Sequence, residues 1–370
     1  MKPSLSLIFI VLAIHTFSCS AQITTSQPDT LELDSLVETR LTENQIPGLA
    51  VGVVKDGEVI VAKGYGFANV EDKIPATRNT IYQLGSVTKM FTGHLLAKLI
   101  HMKTISLDDT LAGFFPSSVD FPESPSGQKI TIREIATHSA EFPRYPENLD
   151  RNDPEPIKGY SKEDLIKGIE MVDIDTAIGA RYHYSNFGYG VLGTAIANRT
   201  GKDLSTLMEE HIFSVYGMNN SSLYLDSRLH HQLAVPYLEV APYQRTEPWE
   251  MGALSAAGNI FSSVSDLNKF MLTLMTENET NTIQQTAYLK INDTWSYGLG
   301  CFVIDSKKRN TRIIYHGGDI DGYASSLTLY HEHRLGIVIL TNWGKGQVIG
   351  DVFSFINEKV VNHFLGEPVK

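Results

Sequence analysis

Cysteine is nearly absent from this sequence, and its scarcity limits what can hold the chain together. Only Cys19 and Cys301 occur among 370 residues. Removal of an N-terminal segment containing Cys19 would leave a single thiol, so no internal disulfide is expected. The fold must therefore be stabilised by a hydrophobic core, for which a chain of this length is ample.

Positive charge is also in short supply. The chain carries 31 Lys and Arg residues against 42 Asp and Glu residues, which gives a formal net charge of −11 at pH 7. Phosphate groups repel an acidic protein, so nucleic acid is not expected as a partner. Hydrophobic residues make up 42% of the chain and charged residues 20%, a balance typical of soluble globular proteins.

Long apolar runs are missing, apart from a short one near the start. Leu5 to Ile14 is apolar but too short to span a membrane. Lys2 precedes this run and small residues follow it as far as Ala21, which is the three-part pattern of a secretory signal. We expect a signal peptide over residues 1–21 and an exported protein. Lipidation at Cys19, which would attach the protein to a membrane, and an uncleaved anchor are weaker alternatives.

The first chemically informative feature is a serine and a lysine three residues apart. Ser86 and Lys89 stand where Gly85 opens an apolar, helix-like run. Helix positions i and i+3 share a face, so the amine can reach the hydroxyl. A serine hydroxyl is a poor nucleophile until a nearby base accepts its proton. The pair therefore predicts an activated serine at a helix N-terminus, where the helix dipole also favours negative charge.

The same spacing recurs once as a decoy. Ser126 and Lys129 lie in a loop rich in Pro, Ser and Gly, with no periodic apolar run behind them. Two further patterns support the first copy: a tyrosine and an asparagine two residues apart at Tyr184 and Asn186, and His316 followed by two glycines.

In this order, the three motifs resemble those of the serine β-lactamase and penicillin-binding-protein superfamily, specifically its class C-like branch of β-lactamases, DD-peptidases and esterases. Other similar segments are Ile46 to Val51, Ile130 to Arg133, Thr137 to Ser139, Ala257 to Ser262 and Asp321 to Ser326. The resemblance covers nearly all of the chain after residue 30.

The resemblance implies a role for each motif residue. Ser86 is the nucleophile, and its backbone N–H forms an oxyanion hole with that of Asp319. Lys89 and Tyr184 activate the serine, and the sequence leaves open which of them takes its proton. Asn186 is expected to hydrogen-bond both Lys89 and the substrate. No cofactor or metal is implied.

The third motif departs from the family pattern. His316, Gly317 and Gly318 are expected to bind substrate, with the glycines allowing its backbone close to a strand edge. Many relatives carry lysine at the His316 position, whereas histidine is mostly neutral at pH 7. Asp319 and Asp321 add negative charge beside it. Selection for an anionic carboxylate should therefore be weaker, which favours a general acyl hydrolase over an efficient β-lactamase.

A second departure lies at Ser139-Ala140-Glu141, where family members often have Ser-Gly. We expect alanine to alter the local loop, because glycine reaches backbone angles that alanine avoids. The paired histidines at His230-His231 and at His331 and His333 lack the spacing of a metal site and are expected to be exposed turn residues.

Strand patterns occur early and late in the chain, with helices between them and at both ends. Asp56-Gly57 predicts a tight hairpin turn between two early strands. This order predicts an α/β fold of the α+β type, with one antiparallel sheet of five or more strands flanked by helices. By the resemblance, residues 30–105 and 245–366 form a discontinuous sheet domain, and residues 106–244 form an inserted, mostly helical domain.

Together these features predict an exported serine hydrolase, periplasmic or secreted from a bacterium, that cleaves amide or ester bonds as an esterase or D-amino-acid peptidase. A class C-like β-lactamase and a penicillin-binding DD-carboxypeptidase are alternatives of the same mechanism. A non-catalytic binding protein on the same fold is a third. The expected partner is a small-molecule or peptide substrate with an acyl group, and the oligomeric state is left open.

Overall fold

The protein is described by a computed structural model over residues 30–150, 152–153, 155–240, 242–344 and 346–367. The predicted signal peptide and Cys19 lie outside these residues. Among the helices described, none is long and apolar enough to cross a membrane.

The strands follow one another in two groups, early and late in the chain. Their bounds are β1 Gly48–Lys55, β2 Glu58–Asn69, β3 Ile74–Pro75, β4 Tyr82–Gln83, β5 Tyr237–Val240, β6 Tyr243–Arg245, β7 Phe261–Ser262, β8 Leu289–Lys290, β9 Trp295–Tyr297, β10 Phe302–Ser306, β11 Thr311–Ile320, β12 Tyr323–Tyr330 and β13 Leu335–Thr341.

The helices lie mainly between these groups and at both ends. Their bounds are α1 Thr30–Asn44, α2 Thr88–His101, α3 Ile132–Ala136, α4 Lys162–Glu170, α5 Asn186–Thr200, α6 Leu204–Met208, α7 Ser227–His230, α8 Val264–Leu274, α9 Glu279–Gln285 and α10 Gly346–Leu365. Shorter 3₁₀ turns include Gly85–Val87 and Gly252–Ala257, and Glu209–Phe213 forms a π-helical turn.

Within the described residues, nine strands form one antiparallel sheet in the order β3-β2-β1-β13-β12-β11-β10-β9-β8. Strand β1 pairs with β13, and in this pairing Leu49 lies opposite Thr341 and Lys55 opposite Leu335. The sheet is thus assembled from both ends of the chain, which confirms the predicted fold class. The predicted turn is also present, because Asp56 and Gly57 both have positive φ, at 53° and 91°.

Alternation along β1 directs side chains into two cores, one on each face of the sheet. Leu49, Val51 and Val53 pack with residues of α1 and α10. Ala50 and Val54 belong to a larger core that includes buried residues of α2, α5 and α8. Helices therefore cover both faces, and the helix that follows Ser86 is packed inside the larger core.

Two strand predictions need correction. The apolar pattern predicts a strand from Leu299 to Ile304, but β10 begins at Phe302 because a turn at Gly298–Cys301 packs against α2. Gly300 has φ +74°, and a Cβ there would lie 1.9 Å from the Lys89 carbonyl oxygen. The apolar pattern also predicts a strand from Arg312 to Tyr315 that stops before His316. Strand β11 instead continues through His316 to Ile320.

Residues 106–244 contain α3 to α7, β5 and the start of β6. The inserted helical domain, with boundaries at 105/106 and 244/245, stays a prediction.

The contact between α2 and this turn leads to a stability prediction. Gly93 lies in α2, and a Cβ there would stand 1.9 Å from the Leu299 carbonyl oxygen. We expect Gly93→Ala to lower the free energy of unfolding by about 1–3 kcal/mol, because backbone must move to admit the methyl group. Urea denaturation measures this change.

Gly350 in α10 is the matched control, because a Cβ there meets nothing within 4 Å. Gly350→Ala should raise the free energy of unfolding by about 0.5–1 kcal/mol through helix propensity alone. Equal effects of the two substitutions would contradict the close contact at Gly93.

Candidate active site

Ser86 lies in the 3₁₀ turn that leads directly into α2. Gly85, before it, has φ +51°, a conformation that favours glycine, and a Cβ there would lie 3.3 Å from the backbone nitrogen of Asp319. A Cβ at Gly318 would lie 3.0 Å from the backbone nitrogen of Ser86. The turn and strand β11 are therefore in close backbone contact, with the N–H groups of Ser86 and Asp319 on facing segments.

Lys89 is completely buried, one turn along from Ser86. Its Nζ atom lies 3.1 Å from Ser86 Oγ, 2.8 Å from Asn186 Oδ1 and 2.7 Å from the carbonyl oxygen of Ala257. No carboxylate takes part in this set of contacts. Burial, and then the nearby Arg144 guanidinium, hold the pKa of Lys89 well below the usual lysine value.

A neutral Lys89 fits these contacts. A neutral amine has two N–H groups and one lone pair. The two N–H groups can be donated to Asn186 and Ala257, which leaves the lone pair to accept the Ser86 hydroxyl proton. The arrangement can therefore supply a base to the serine without any acidic partner.

Tyr184 approaches Ser86 from the other side. Its hydroxyl donates to Ser86 Oγ at 2.7 Å. Burial raises the pKa of Tyr184 to about 12, although its contact with Ser86 and the nearby Arg144 act in the opposite direction. Lys89 Nζ lies 4.8 Å from the centre of its ring. Tyr184 is thus suited to hold and donate a proton near neutral pH.

The start of α5 positions both Tyr184 and Asn186. Ser185 is the N-cap of this helix, and its hydroxyl accepts from Gly188 N–H at 2.7 Å and donates to the Pro143 carbonyl at 2.6 Å. A serine cap of this kind fixes the direction in which the chain enters a helix. Asn186, the first helical residue, is thereby held against Lys89.

His316 lies within β11 and is only 2% exposed. Its Nδ1–H donates to the Gly317 carbonyl at 2.7 Å, and Nε2 faces the Tyr297 hydroxyl at 3.3 Å. Burial, followed by the neighbouring Lys89, lowers the pKa of His316 to about 3. The side chain is therefore a neutral imidazole at the base of the site and carries no charge for a substrate.

A cleft of about 470 Å³ opens above these groups. Its lining includes the apolar side chains of Phe302, Ile349 and Phe353, and also those of Tyr184 and Arg144. The predicted substrate-binding residues from His316 to Asp319 line it as well, together with Ser86. The structure thus brings Ser86, Lys89, Tyr184, Asn186, His316, Gly317, Gly318 and Asp319 together around one cleft. Among them, Lys89 and Asn186 are buried beneath it.

Sequence reasoning missed several contributors to the site. Ala257 contributes only its backbone carbonyl, which no pattern of side chains can indicate, although Ala257 to Ser262 is one of the segments that resemble the family. Ser325 on β12 donates to the Leu84 carbonyl at 2.6 Å and so joins the sheet to the turn before Ser86. Arg144 is the only arginine among the cleft-lining residues described.

His138 is the other residue that was missed, although it lies in a family-like segment. Its Nδ1 accepts from the Ser185 N–H at 3.1 Å, and its buried Nε2 has no hydrogen-bond partner among the described residues. Ring centres of Tyr182, Tyr184, Tyr189 and Tyr297 lie 4.5–5.6 Å away. Burial is the main reason that the pKa of His138 lies well below the usual histidine value.

The expectation that Ala140 alters the local loop stays a prediction, since Ala140 itself keeps an ordinary backbone angle. The left-handed residues there are His138 and Glu141, with φ of 59° and 61°, and Ala140 is not one of them. Glu141 is held by Arg181, with Oε2 at 2.6 Å from Nη2. The buried Glu141 carboxylate is thus paired with an exposed arginine, at a residue whose backbone angle usually favours glycine.

The second Ser-x-x-Lys pair and the paired histidines, which the sequence does not assign to the site, are not among the residues that line the cleft. Ser126 and Lys129 are exposed in a loop, as predicted. His230, the last residue of α7, and His231 are also exposed. His331 and His333 are half-buried in a turn rather than exposed. The described part of the chain contains no group of three or more His, Cys, Asp or Glu residues placed to hold a metal ion.

Comparison with known proteins gives consistent matches. A family model described as Beta-lactamase matches residues 33–351. The chain is 24% identical over 346 residues to Protein flp of Staphylococcus aureus, covering 90% of this chain and 66% of that protein. It thus spans slightly less than two thirds of that relative. A putative D-alanyl-D-alanine carboxypeptidase of Salmonella paratyphi B is 29% identical over 235 residues, 57% of this chain and 54% of that protein.

Two solved structures share the fold. An octameric penicillin-binding protein homologue from Pyrococcus abyssi has a TM-score of 0.78 and 25% identity, over 92% of this chain and 78% of that one. A beta-lactamase/D-alanine carboxypeptidase from Yersinia pestis, complexed with citrate, has a TM-score of 0.77 and 18% identity, over 90% of this chain and 100% of that one.

The lowered pKa of Lys89 predicts a pH dependence of stability. At pH values between the folded pKa of Lys89 and its unfolded pKa of about 10.4, the unfolded chain binds one more proton at this residue than the folded protein does. Folding is therefore favoured as pH rises through this window. The stability of the native sequence relative to Lys89→Met should rise by up to about 1.4 kcal/mol per pH unit.

Urea denaturation between pH 7 and pH 9 measures this difference. Ser86→Ala is the control, because it removes the hydroxyl and keeps the lysine, and it should follow the pH slope of the native sequence. Parallel slopes for the native sequence and Lys89→Met would show that Lys89 keeps an ordinary pKa.

Proposed function

This chain belongs to the beta-lactamase family, and from that membership and the contacts of Ser86 we propose that it is a serine hydrolase acting through an acyl-enzyme. The observation that carries the proposal is the position of Ser86 Oγ, 3.1 Å from a buried, carboxylate-free lysine amine and 2.7 Å from a tyrosine hydroxyl. A hydroxyl placed between a base and a proton donor is the arrangement that nucleophilic catalysis by serine requires.

In the proposed acylation step, Ser86 Oγ attacks the carbonyl carbon while Lys89 takes the hydroxyl proton. The carbonyl oxygen becomes negatively charged and is held by the backbone N–H groups of Ser86 and Asp319. The bond to the leaving group then breaks, and Tyr184 delivers a proton to the departing oxygen or nitrogen. Transfer of the proton from Lys89 to Tyr184 then restores both groups.

In deacylation, water attacks the acyl-enzyme carbonyl and the same groups work in reverse order. Water loses a proton to the lysine and tyrosine pair, which delivers a proton to Ser86 Oγ as its bond to the acyl group breaks, and the acid product leaves. The net reaction is hydrolysis of an ester or amide. We assign the general base of acylation to Lys89 because the raised pKa of Tyr184 keeps its hydroxyl protonated near neutral pH.

The substrates that we favour are small esters and D-amino-acid peptides. A relative in Salmonella paratyphi B is named as a putative D-alanyl-D-alanine carboxypeptidase, which supports the peptide class. The neutral, buried His316 leaves the sheet side of the cleft without a cation, which supports a broader acyl hydrolase. Export, inferred from residues 1–21, and a periplasmic or secreted location are parts of the proposal.

A β-lactamase is the second candidate, since the Yersinia pestis neighbour is described as a beta-lactamase/D-alanine carboxypeptidase and shares the fold. Fast deacylation separates a β-lactamase from a penicillin-binding peptidase. Turnover of nitrocefin would support the β-lactamase, whereas stable acylation by penicillin G would support the peptidase. A non-catalytic binding protein is disfavoured, because binding alone does not require a buried amine against a serine.

The experiment that tests the proposal is intact-mass spectrometry after exposure to a fluorophosphonate, with turnover of p-nitrophenyl acetate followed in parallel. We expect one adduct on the native protein. Ser86→Ala should abolish that adduct and lower kcat/KM by at least about a thousandfold, because the nucleophile is lost.

Ser126→Ala is the matched control, because Ser126 belongs to the second Ser-x-x-Lys sequence and lies in an exposed loop. It should keep both the adduct and the native turnover. A native protein that forms no adduct and hydrolyses nothing would refute the hydrolase and favour the binding protein.

A further inference from the structure

Arg144 lines the cleft and belongs to the loop before α5 rather than to strand β11. It is exposed, and it lines the same cleft as Ser86 and Tyr184. Its guanidinium carbon lies 5.4 Å from the centre of the Tyr184 ring and 6.0 Å from that of Tyr145. Two aromatic rings therefore restrict the guanidinium without consuming its hydrogen-bond donors.

The backbone of Arg144 is fixed by the second catalytic motif itself. Its carbonyl accepts hydrogen bonds from the N–H groups of Asn186 at 3.0 Å and Phe187 at 3.2 Å. The preceding carbonyl, of Pro143, accepts from the Ser185 hydroxyl. Movement of the loop containing Pro143 and Arg144 would disturb the residues that position Tyr184. The position of Arg144 is therefore fixed relative to Tyr184.

No acid neutralises this cation within the described residues, where Arg144 forms neither an ion pair nor a side-chain hydrogen bond. The nearest acid along the chain, Glu141, is already bound by Arg181. A guanidinium has five N–H donors in a planar fork that matches a carboxylate. An exposed, unpaired fork beside a nucleophile is suited to an anionic ligand group.

Strand β11 offers no such group. His316 is neutral and buried, and Asp319 is an exposed acid on that strand. The cleft therefore carries a cation beside Tyr184 and an acid on β11. An anion entering this cleft is drawn toward Arg144 and away from β11.

We propose that Arg144 is a specificity-determining residue that binds an anionic group on the leaving group of the substrate. This inference rests on the proposed hydrolase function. The leaving group is the part concerned, because Tyr184, the proposed proton donor to that group, lies directly beneath the guanidinium. The preferred substrates are acyl donors that release an anionic alcohol or amine, such as a carboxylate-bearing amino acid or hydroxy acid.

The test uses two acetyl esters whose leaving groups differ in charge, 4-acetoxybenzoate and the neutral 4-acetoxybenzamide. Steady-state kinetics are measured for the native protein, Arg144→Ala and Arg144→Lys. Arg78→Ala is the matched control, because Arg78 is also exposed but does not line the cleft. It removes the same charge from the protein without changing the site.

Arg144→Ala should lower kcat/KM for the anionic ester about 10–100-fold, mainly by raising KM, and should change kcat/KM for the neutral ester less than about threefold. These magnitudes are those of one charged hydrogen bond. Arg144→Lys should recover part of the loss, since it restores the charge but not the planar fork. Arg78→Ala should match the native protein for both esters.

A second readout keeps the two proposals separable. Fluorophosphonate labelling of Ser86 is followed in the presence of benzoate or benzamide, and benzoate should slow labelling in the native protein but not in Arg144→Ala. If Ser86 is labelled normally and the native protein and Arg144→Ala show the same ratio of kcat/KM for the anionic and neutral esters, the role of Arg144 is overturned and the hydrolase proposal stands. Absence of labelling at Ser86 would overturn the hydrolase and this inference together.

Discussion

The site depends on one costly constraint, the burial of the Lys89 amine without a carboxylate to compensate it. Burial of a lone charge in a protein core is strongly unfavourable, so the group responds by giving up its proton. The oxygen atoms of Asn186 and Ala257 then take its two N–H groups, which leaves the lone pair for Ser86. The same environment that lowers the stability of the folded chain therefore produces the base.

This constraint explains why three segments meet behind Ser86. Helix α2 is tied to the 3₁₀ turn Gly252–Ala257 by the Thr92 hydroxyl, which donates to the Ala256 carbonyl at 2.8 Å. The Thr88 hydroxyl accepts from Ile260 N–H at 3.0 Å. Helix α5 closes the third side with Asn186. Each segment supplies hydrogen-bonding groups to a region that is otherwise apolar, as a buried amine requires.

Much of the site could be predicted from the sequence, because its chemistry is carried by short spacings. Ser86 and Lys89 share a helix face whatever the rest of the fold does, and Tyr184 and Asn186 flank the residue that caps a helix. The antiparallel sheet was likewise predictable, since alternating apolar strands occur near both ends of the chain. These features depend on residues close together in the sequence, so they can be predicted without knowledge of the tertiary structure.

The rest could not be predicted, because it depends on where loops go in space. Nothing in the sequence around Arg144 indicates that its carbonyl is bound by the N–H groups of Asn186 and Phe187. The left-handed backbone at Glu141, rather than Ala140, is set by the loop path and the Arg181 ion pair. The late start of β10 follows from the close contact of Gly300 with α2. Each of these involves partners distant in sequence.

The pairing of β1 with β13 also sets when the candidate site can form. Strand β1 ends at Lys55 and β13 begins at Leu335, so this part of the sheet closes only after almost the whole chain is available. Contacts between such distant residues make folding slow, because the intervening chain must first lose its freedom. The backbone N–H groups of Ser86 and Asp319, the proposed oxyanion hole, lie on segments that this folding step brings together. A chain still being synthesised would hold Ser86 without β11 beside it, so the proposed site is complete only when folding is complete.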